Sequence, residues 1–530
     1  MFDVTLQGGA IYDGNGGEPY GADIAVKNGQ IVAIGQLANF ETAELLDING
    51  LAVCPGFIDI HTHSDFTLLV NGKADSQVHQ GVTTEVVGQC GTSCAPARCD
   101  RDIEVMAPGF KHGFASLGWR SFGDYLDALE KQSLGVNVAA FVGHGTVHRA
   151  VLGNVNTPPN PDEVEAMAHM VEEAVDHGAM GFSTGLEYWP GSVSAPEHIA
   201  PLVEVVAKRD LLYATHVRNR DIYYDLGFGE ALTTARSAGA KLQISHIQPK
   251  FGAPEYAMQH SIEMIETGRR YGIDVAFDVI PHEWSHTSVL AILPQWAQEG
   301  GIAAVLERLA RPELRESLKV NPKPIWRIVA AGRWGDIVLM QSEANSDLVG
   351  LTFSEIGRQR GKPPFDVALD LLLEEGENIN RLLWTSRSFR QSDIELCLNH
   401  PQCAVMSDTW ALSSQGPLAD HIGSLSGYGW AARFLRTYVR ERKILSFSEA
   451  IRRITSLPAD RLGLSGRGRL AKGSSADITV LDPATITDHD TVEQPRRYAS
   501  GIAHVMVNGK LSMRNGKRTH INNGSVLRHR

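Results

Sequence analysis

Apolar and polar positions along this chain fall into distinct textures. The first fifty residues alternate with a period near two, as half-buried strands do. Residues 3–6 run into Gly8-Gly9, and residues 10–12 run into Asp13-Gly14. Residues 23–27 meet residues 31–34 across Asn28-Gly29. That dipeptide signals a two-residue hairpin, because both residues accept the positive φ such a turn requires. The far end reads alike: 476–481 is a strand stopped by Asp482-Pro483, and 504–507 turns at Asn508-Gly509. The pattern predicts one small antiparallel β domain, a β-sandwich, assembled from residues 1–54 and 465–530.

Between residues 55 and 464 the texture changes. Short apolar runs bounded by turn residues recur at 57–60, 84–87, 136–142, 180–183, 212–215, 242–245, 274–278 and 404–407. Such runs read as parallel strands buried on both faces. Helical periodicity fits between several of them. Over 161–177, Val164, Met167, Ala168, Val171, Ala174 and Val175 share a face. Asn160 caps its start, Pro161 opens the first turn and Gly178 follows the end. Residues 447–456 follow Ser446, with Glu449 three positions on, the pattern of a capping box. Eight strands alternating with helices predict an α/β chain built on a (β/α)8 TIM-like barrel. Residues 286–350 break the rhythm and read as an insertion before the last strand. No internal repeat is visible.

Composition narrows the partners. Hydrophobic residues make up 43% and charged residues 21%, ordinary for a soluble globular protein. Lys plus Arg number 49 against 61 Asp plus Glu, a net charge of -12, so a nucleic-acid partner is not expected. No run approaches the roughly 20 apolar residues that span a bilayer. The N-terminus lacks the basic start and apolar run of a secretory signal. Six cysteines in 530 residues are too few for a disulfide scaffold, which predicts a cytoplasmic protein with reduced thiols. An acidic surface on a large barrel is compatible with a homo-oligomer of undetermined number.

Candidate chemistry collects at the ends of the expected strands. His61 and His63, in Pro55-Gly56-Phe57-Ile58-Asp59-Ile60-His61-Thr62-His63, are two apart, so in a strand they share a face. At the C-terminal end of a barrel strand that face is the mouth, where catalytic groups sit. Two imidazoles side by side suit a divalent metal, although such a pair also makes structural hydrogen bonds. His216 ends 213–216 and His246 ends 242–246. A lone strand-end His is more often structural, and two on successive strands beside a His pair reverse that weighting. Cys90, after 84–89, offers a thiolate that can bind or bridge metals. Cys94 and Cys99 lie close by, and a structural zinc knot is the rival reading. Asp408 follows 404–407, where a carboxylate can move a proton, or alternatively cap a helix. Asp59 could orient one of the histidines. His144 and His148 follow a strand and read as substrate or supporting contacts, with a structural role nearly as common.

Taken together, these segments resemble the amidohydrolase superfamily, and most closely its N-acyl-D-amino-acid deacylases, or D-aminoacylases. The likeness covers almost the whole chain. Gly8-Gly9 through Asp13-Gly14 resembles the family opening, 55–63 its first barrel strand, and Gly81 through Gly91 its second. Gly185-Leu186-Glu187-Tyr188-Trp189-Pro190-Gly191 is similar to the loop after the fourth, and Ala214-Thr215-His216-Val217-Arg218 and Ser245-His246 to later strand ends. Thr455-Ser456-Leu457-Pro458-Ala459 and 468–473 are also family-like, the latter shared by many amidohydrolases. The resemblance implies that His216, His246 and Cys90 hold a principal Zn2+. His61 and His63 would form a second site, weaker or vacant, with Cys90 between the two, giving one or two zinc ions per chain. It implies that Asp408 is the general acid/base. By position alone, Tyr188 or His144 could stabilise the oxyanion.

Some positions depart from the family pattern. Gln248 stands where a Lys is usual, with Lys250 two further on. Ile280-Pro281-His282 replaces a Tyr-Pro-Tyr segment, and His421-Ile422-Gly423 a His-Pro-Arg stretch. Those groups help hold a substrate carboxylate in the family. Arg218, Arg220, Lys250 and Arg433 are the cations left to replace them, and His282, Trp284 and His286 are candidate pocket walls. The expected function is zinc-dependent hydrolysis of a linear amide in a small N-acyl substrate. The alternatives are a neutral or cyclic amide, imide or lactone on the same metal site, and a non-enzymatic scaffold. The full set of candidate ligands argues against the scaffold.

Overall fold

The computed structural model describes residues 1–38, 40–99, 118–153, 155–320 and 326–529. Strands β1 (Phe2–Ile11), β2 (Tyr20–Lys27), β3 (Gln30–Gly35), β4 (Thr42–Asp47) and β5 (Ala52–Pro55) come first. The β2–β3 turn holds Asn28 at φ 50° and Gly29 at φ 78°, the conformation that the Asn-Gly pair allows at little cost. The chain then enters a barrel through β6 (Phe57–Asp59), β7 (Val82–Val87), β8 (Asn137–Gly143), β9 (Gly181–Gly185), β10 (Leu212–His216), β11 (Lys241–Ile244) and β12 (Val275–Val279). After an excursion containing β13 (Trp284–Ser288), β14 (Ile337–Gln341) and β15 (Leu383–Arg387), β16 (Cys403–Val405) completes the eight. Each barrel strand coincides with one of the eight apolar runs. The barrel strands pair in parallel in the order β6 to β12 and then β16.

Alternation along each strand supplies two cores. Ile58, Val86, Ala139, Phe141, Leu212, Ala214 and Ala404 fill the barrel, with Leu457 and Leu462 packed against them. Phe57, Val138, Val142, Phe182, Tyr213, Ile244, Phe277 and Val405 face the helices instead. The helix Pro161–Asp176 is capped by a reciprocal Asn160–Glu163 box and buries Val164, Met167, Val171, Ala174 and Val175. Ser446 accepts the Glu449 N–H at 3.2 Å, but the box is not reciprocal. The Glu449 carboxylate turns to Arg452 and Arg453, which present cations where the box would need a neutral N–H.

The small domain is one mixed nine-stranded sheet rather than a purely antiparallel pair of sheets. Its order is β20-β19-β18-β17-β5-β1-β2-β3, where β17 is Ile478–Leu481, β18 Ile502–Val507, β19 Lys510–Arg514 and β20 Lys517–Arg518. Strands β4 and β5 both run parallel to β1. The sheet curls round a common core, Leu6, Ile24, Ile31, Ile478 and Met506 among it, until Gln30 meets Ser475. The last two paired residues, β21 (Val526–Leu527), leave this sheet and run parallel to β8 of the barrel. Asn137, buried at the start of β8, ties the two bodies together. Its side-chain N–H donates to Thr83 O and Asp477, and its oxygen accepts from Asn508 and Ser525.

The excursion between β12 and β16 has its own core, from Val289 to Trp384, so it reaches beyond residue 350. Its strands form a separate antiparallel sheet in the order β13-β15-β14. Local pattern does not mark β15, because Leu383-Trp384-Thr385-Ser386 is half polar and neither alternates nor makes a continuous apolar run. Asn137→Ala should lower stability by about 3 kcal/mol in urea unfolding, because it strands several buried partners at once. Zinc content should be unchanged, since this network lies at the opposite end of β8 from the mouth.

Candidate metal centre

The barrel closes where its first and last strands meet. Thr62 and Thr409 form an isolated parallel bridge, the His63 N–H donates to Thr409 O at 2.7 Å, and the Asp408 N–H donates to His61 O at 3.1 Å. This seam fixes His61, His63 and Asp408 side by side. His63 Nε2 lies 3.1 Å from Asp408 Oδ1, and His61 Nε2 lies 3.4 Å from the same oxygen.

Cys90, at the end of β7, is the hub. Its Sγ lies 3.4 Å from His61 Nε2, 3.6 Å from His216 Nδ1 and 3.3 Å from His246 Nε2. His61, Cys90, His246 and Asp408 bring donor atoms within 4.8 Å of one another. Three of these residues have left-handed backbones: Cys90 at φ 51°, His246 at φ 34° and Asp408 at φ 52°. L-residues adopt that region at a cost of roughly 1–3 kcal/mol each. Specific contacts hold it. The His246 N–H donates to Asp278 Oδ1 at 2.6 Å, and the seam holds Asp408. Gly185 lies so close to Cys90 that an added Cβ would overlap the Cys90 carbonyl oxygen.

Burial keeps His61, His216 and His246 neutral, while at His63 it is outweighed by the bond to Asp408, which raises that ring. Burial lowers His61 to about 3 and His216 to about 4, with Glu187 pulling His216 the other way. Glu187 accepts from His216 Nε2 at 2.9 Å and pairs with Lys250 on its other oxygen. Burial would raise Glu187, but Lys250 and His216 hold it down to about 2. Burial would raise Asp408 too, yet the His63 bond and the nearby His61 and His246 keep it well below the usual carboxylate range. Burial pushes the Cys90 thiol well up, and the Asp408 charge adds to this.

These groups fit zinc. Sulfur and nitrogen sharing a tetrahedral zinc stand about 3.6 Å apart, given ordinary Zn–S and Zn–N bonds. The three sulfur–nitrogen separations match. Neutral imidazoles present lone pairs, and a bound divalent ion deprotonates a coordinating thiol. Glu187 fixes the His216 tautomer so that Nδ1 faces the sulfur, the usual device for orienting a metal-binding histidine.

The cluster opens into a cavity of about 320 Å³, lined in part by His63, Cys90, Tyr188, His216, His246 and Asp408. Tyr188 stacks edge-on against His216 with ring centres 4.7 Å apart. The other expected substrate contacts stand elsewhere. Lys250 is behind His216 and bonded to Glu187, so it supports the cluster. His144 is fully buried beside Phe182 and His148. His282 accepts the Trp284 N–H at 3.2 Å, and Arg433 donates to Pro281 O at 2.9 Å, both away from the cavity wall. Of the candidate pocket walls, His286 lines the cavity. Cys94 is buried and Cys99 exposed, and neither joins a metal-binding group among the described residues. Asp59 accepts from the Ser407 N–H at 3.1 Å and so braces the seam rather than a ring nitrogen. Glu187 and Asp278 were missed from sequence. Glu187 sits inside the Gly185–Gly191 loop and Asp278 inside the β12 run, and only their partners, 29 and 32 residues away, reveal their roles.

Comparison with known proteins follows the same lines. The sequence matches the amidohydrolase family over residues 44–239 and 352–513. The unmatched stretch holds β11, β12 and most of the excursion above the cavity. The chain is 30% identical over 509 residues to the N-acyl-D-glutamate deacylase of Alcaligenes xylosoxydans xylosoxydans, covering 96% of this chain and 93% of that one. It is 30% identical over 515 residues to the D-aminoacylase of the same organism, covering 96% and 94%. Among solved structures it is similar to the N-acyl-D-glutamate deacylase of Bordetella bronchiseptica complexed with zinc and a phosphonate inhibitor. The TM-score is 0.82 at 28% identity, over the whole of both chains. Cys90→Ala and His216→Ala should each abolish stoichiometric zinc by elemental analysis. Glu187→Gln should weaken zinc affinity by roughly 10–100-fold in chelator competition while leaving the fold intact.

Proposed function

This chain belongs to the amidohydrolase family, and from that premise we propose that it is a zinc-dependent deacylase of N-acyl-D-amino acids. One observation carries the reading: Asp408, a carboxylate held in its charged form by its bond to His63, faces the cavity beside the sulfur–imidazole cluster. A substrate carbonyl presented to that cluster has a proton acceptor within reach. Cys90, His216 and His246 would hold the principal zinc, with His61 and His63 beside them. When bound, the ion polarises the scissile carbonyl and makes water a nucleophile near neutral pH.

The chain's own residues do the rest. Asp408 accepts the proton that the attacking water loses as its oxygen bonds to the amide carbon. Asp408 then delivers that proton to the amide nitrogen, so that the C–N bond breaks and a carboxylic acid and an amine leave. His63 holds Asp408 Oδ1 in place through both transfers. Tyr188 stays protonated, because burial pushes its hydroxyl well above the usual range, and can donate to the developing oxyanion. The excursion limits water access by supplying Ser285, His286, Trp326 and Leu383 to the cavity wall.

No helix among the described residues is long and apolar enough to cross a membrane. All six cysteines are free, which supports a reducing compartment, the cytoplasm. Zinc-loaded protein should release amine from N-acyl-D-amino acids and not from the matched L series. Release from the L series alone, or from cyclic amides alone, would overturn the proposal. Asp408→Asn should keep its zinc and lose roughly 10²–10⁴-fold in kcat.

A further inference from the structure

Four cations stand near enough in sequence to the strand ends to hold a substrate carboxylate, and three are engaged. Arg218 donates to Glu230 at 2.9 and 2.8 Å and to the carbonyls of Ser192 and Ser194. Lys250 is paired with Glu187 and lies 4.3 Å from the centre of the Trp326 ring. Arg433 is bound to Pro281 O and to Asp488. Arg220 differs. It lines the cavity at 4% exposure. Its Nη1 donates to the carbonyls of His246 and Gln248, while its Nε is buried without a partner. Among the described residues no carboxylate forms an ion pair with it. Glu187 and Asp278 are close enough to feel its charge but not to bond it, so an anion entering the cavity would meet a guanidinium with an N–H still to give.

We propose that Arg220 is the specificity-determining group that binds the free carboxylate of the N-acyl amino acid, an inference that rests on the deacylase reading. Position selects the carboxylate. The guanidinium is bonded to the carbonyl of His246, a member of the metal-donor cluster, so it stands beside the reacting atoms. An α-carboxylate is two bonds from the amide nitrogen and has to lie there, whereas a side-chain acid would lie further out. Phe389 flanks the guanidinium at 5.9 Å from its ring centre, and Trp189, Trp326 and Trp410 supply other walls. Arg149 lies over the Trp189 ring at 4.9 Å, so the wall beyond the guanidinium is aromatic with one further cation. The substrate class is N-acyl amino acids, bound through the α-carboxylate.

The test compares N-acetyl-D-leucine with N-acetyl-D-leucinamide, reading acetate release. Wild type should prefer the acid. In Arg220→Met the ratio of kcat/KM on acid to that on amide should collapse by roughly a hundredfold, mainly through KM, with zinc content unchanged. Calorimetric binding to zinc-loaded Asp408→Asn, with and without Arg220→Met, should show the same selective loss for the acid. Equal losses on acid and amide with zinc retained, or no change on the acid, would overturn the role of Arg220. If Arg220→Met loses zinc, Arg220→Lys decides: a retained preference for the acid supports the proposal, and its disappearance overturns it. Should wild type cleave neither compound while the binding preference for the acid still depends on Arg220, the deacylase reading fails and the carboxylate site stands.

Discussion

The site depends on the barrel closing at the seam between β6 and β16. Thr62 and Thr409 bridge there, and the neighbouring backbone bonds lock His61 and His63 against Asp408. Residues almost 350 positions apart become neighbours through those few bonds. Once the seam is shut, the Cys90 sulfur just past β7 falls within reach of His61, and the ends of β10 and β11 bring His216 and His246 close as well. Nothing local would gather these groups, because each strand end carries only one or two of them.

The cost of this gathering is visible in the backbone and in the charges. Cys90, His246 and Asp408 take left-handed conformations at the strand ends, which turn their side chains inward to a common point. Beside the cluster, two buried carboxylates are held by specific donors. Glu187 stands between Lys250 and His216, and Asp278 accepts from the His246 N–H and from Gln243 at 2.9 Å. Neutral imidazoles and a paired carboxylate are what a zinc ion needs from a protein. Arg220, by contrast, lines the cavity with a buried Nε that no group among the described residues accepts from.

The excursion between β12 and β16 acts as a roof. It keeps its own core, including Trp326, Trp334, Phe353 and Trp384, so the wall it gives the cavity belongs to a packed unit. The same barrel mouth with another roof would present another pocket. The barrel strand ends carry the metal-binding cluster, and the excursion supplies much of the cavity wall.

Much of this was legible in the chain. The eight barrel strands were visible because a strand buried on both faces must be a short apolar run, and turn residues mark its ends. His61, Cys90, His216, His246 and Asp408 stood out because they sit where those runs stop. Both hairpins were legible because Asn-Gly tolerates positive φ at little cost. Other features needed the folded molecule. Lys250 reads as a pocket cation until Glu187 is found beside it, and Arg220 reads like Arg218 until only one of them has a carboxylate partner. The parallel pairing of β4 and β5 with β1, the return of β21 to the barrel and the extent of the roof likewise rest on contacts between distant segments. Local pattern determines which residues are buried and where a strand ends, since both follow from hydrophobic periodicity. Tertiary structure alone decides which buried charge meets which, because that depends on three-dimensional proximity that no spacing along the chain encodes.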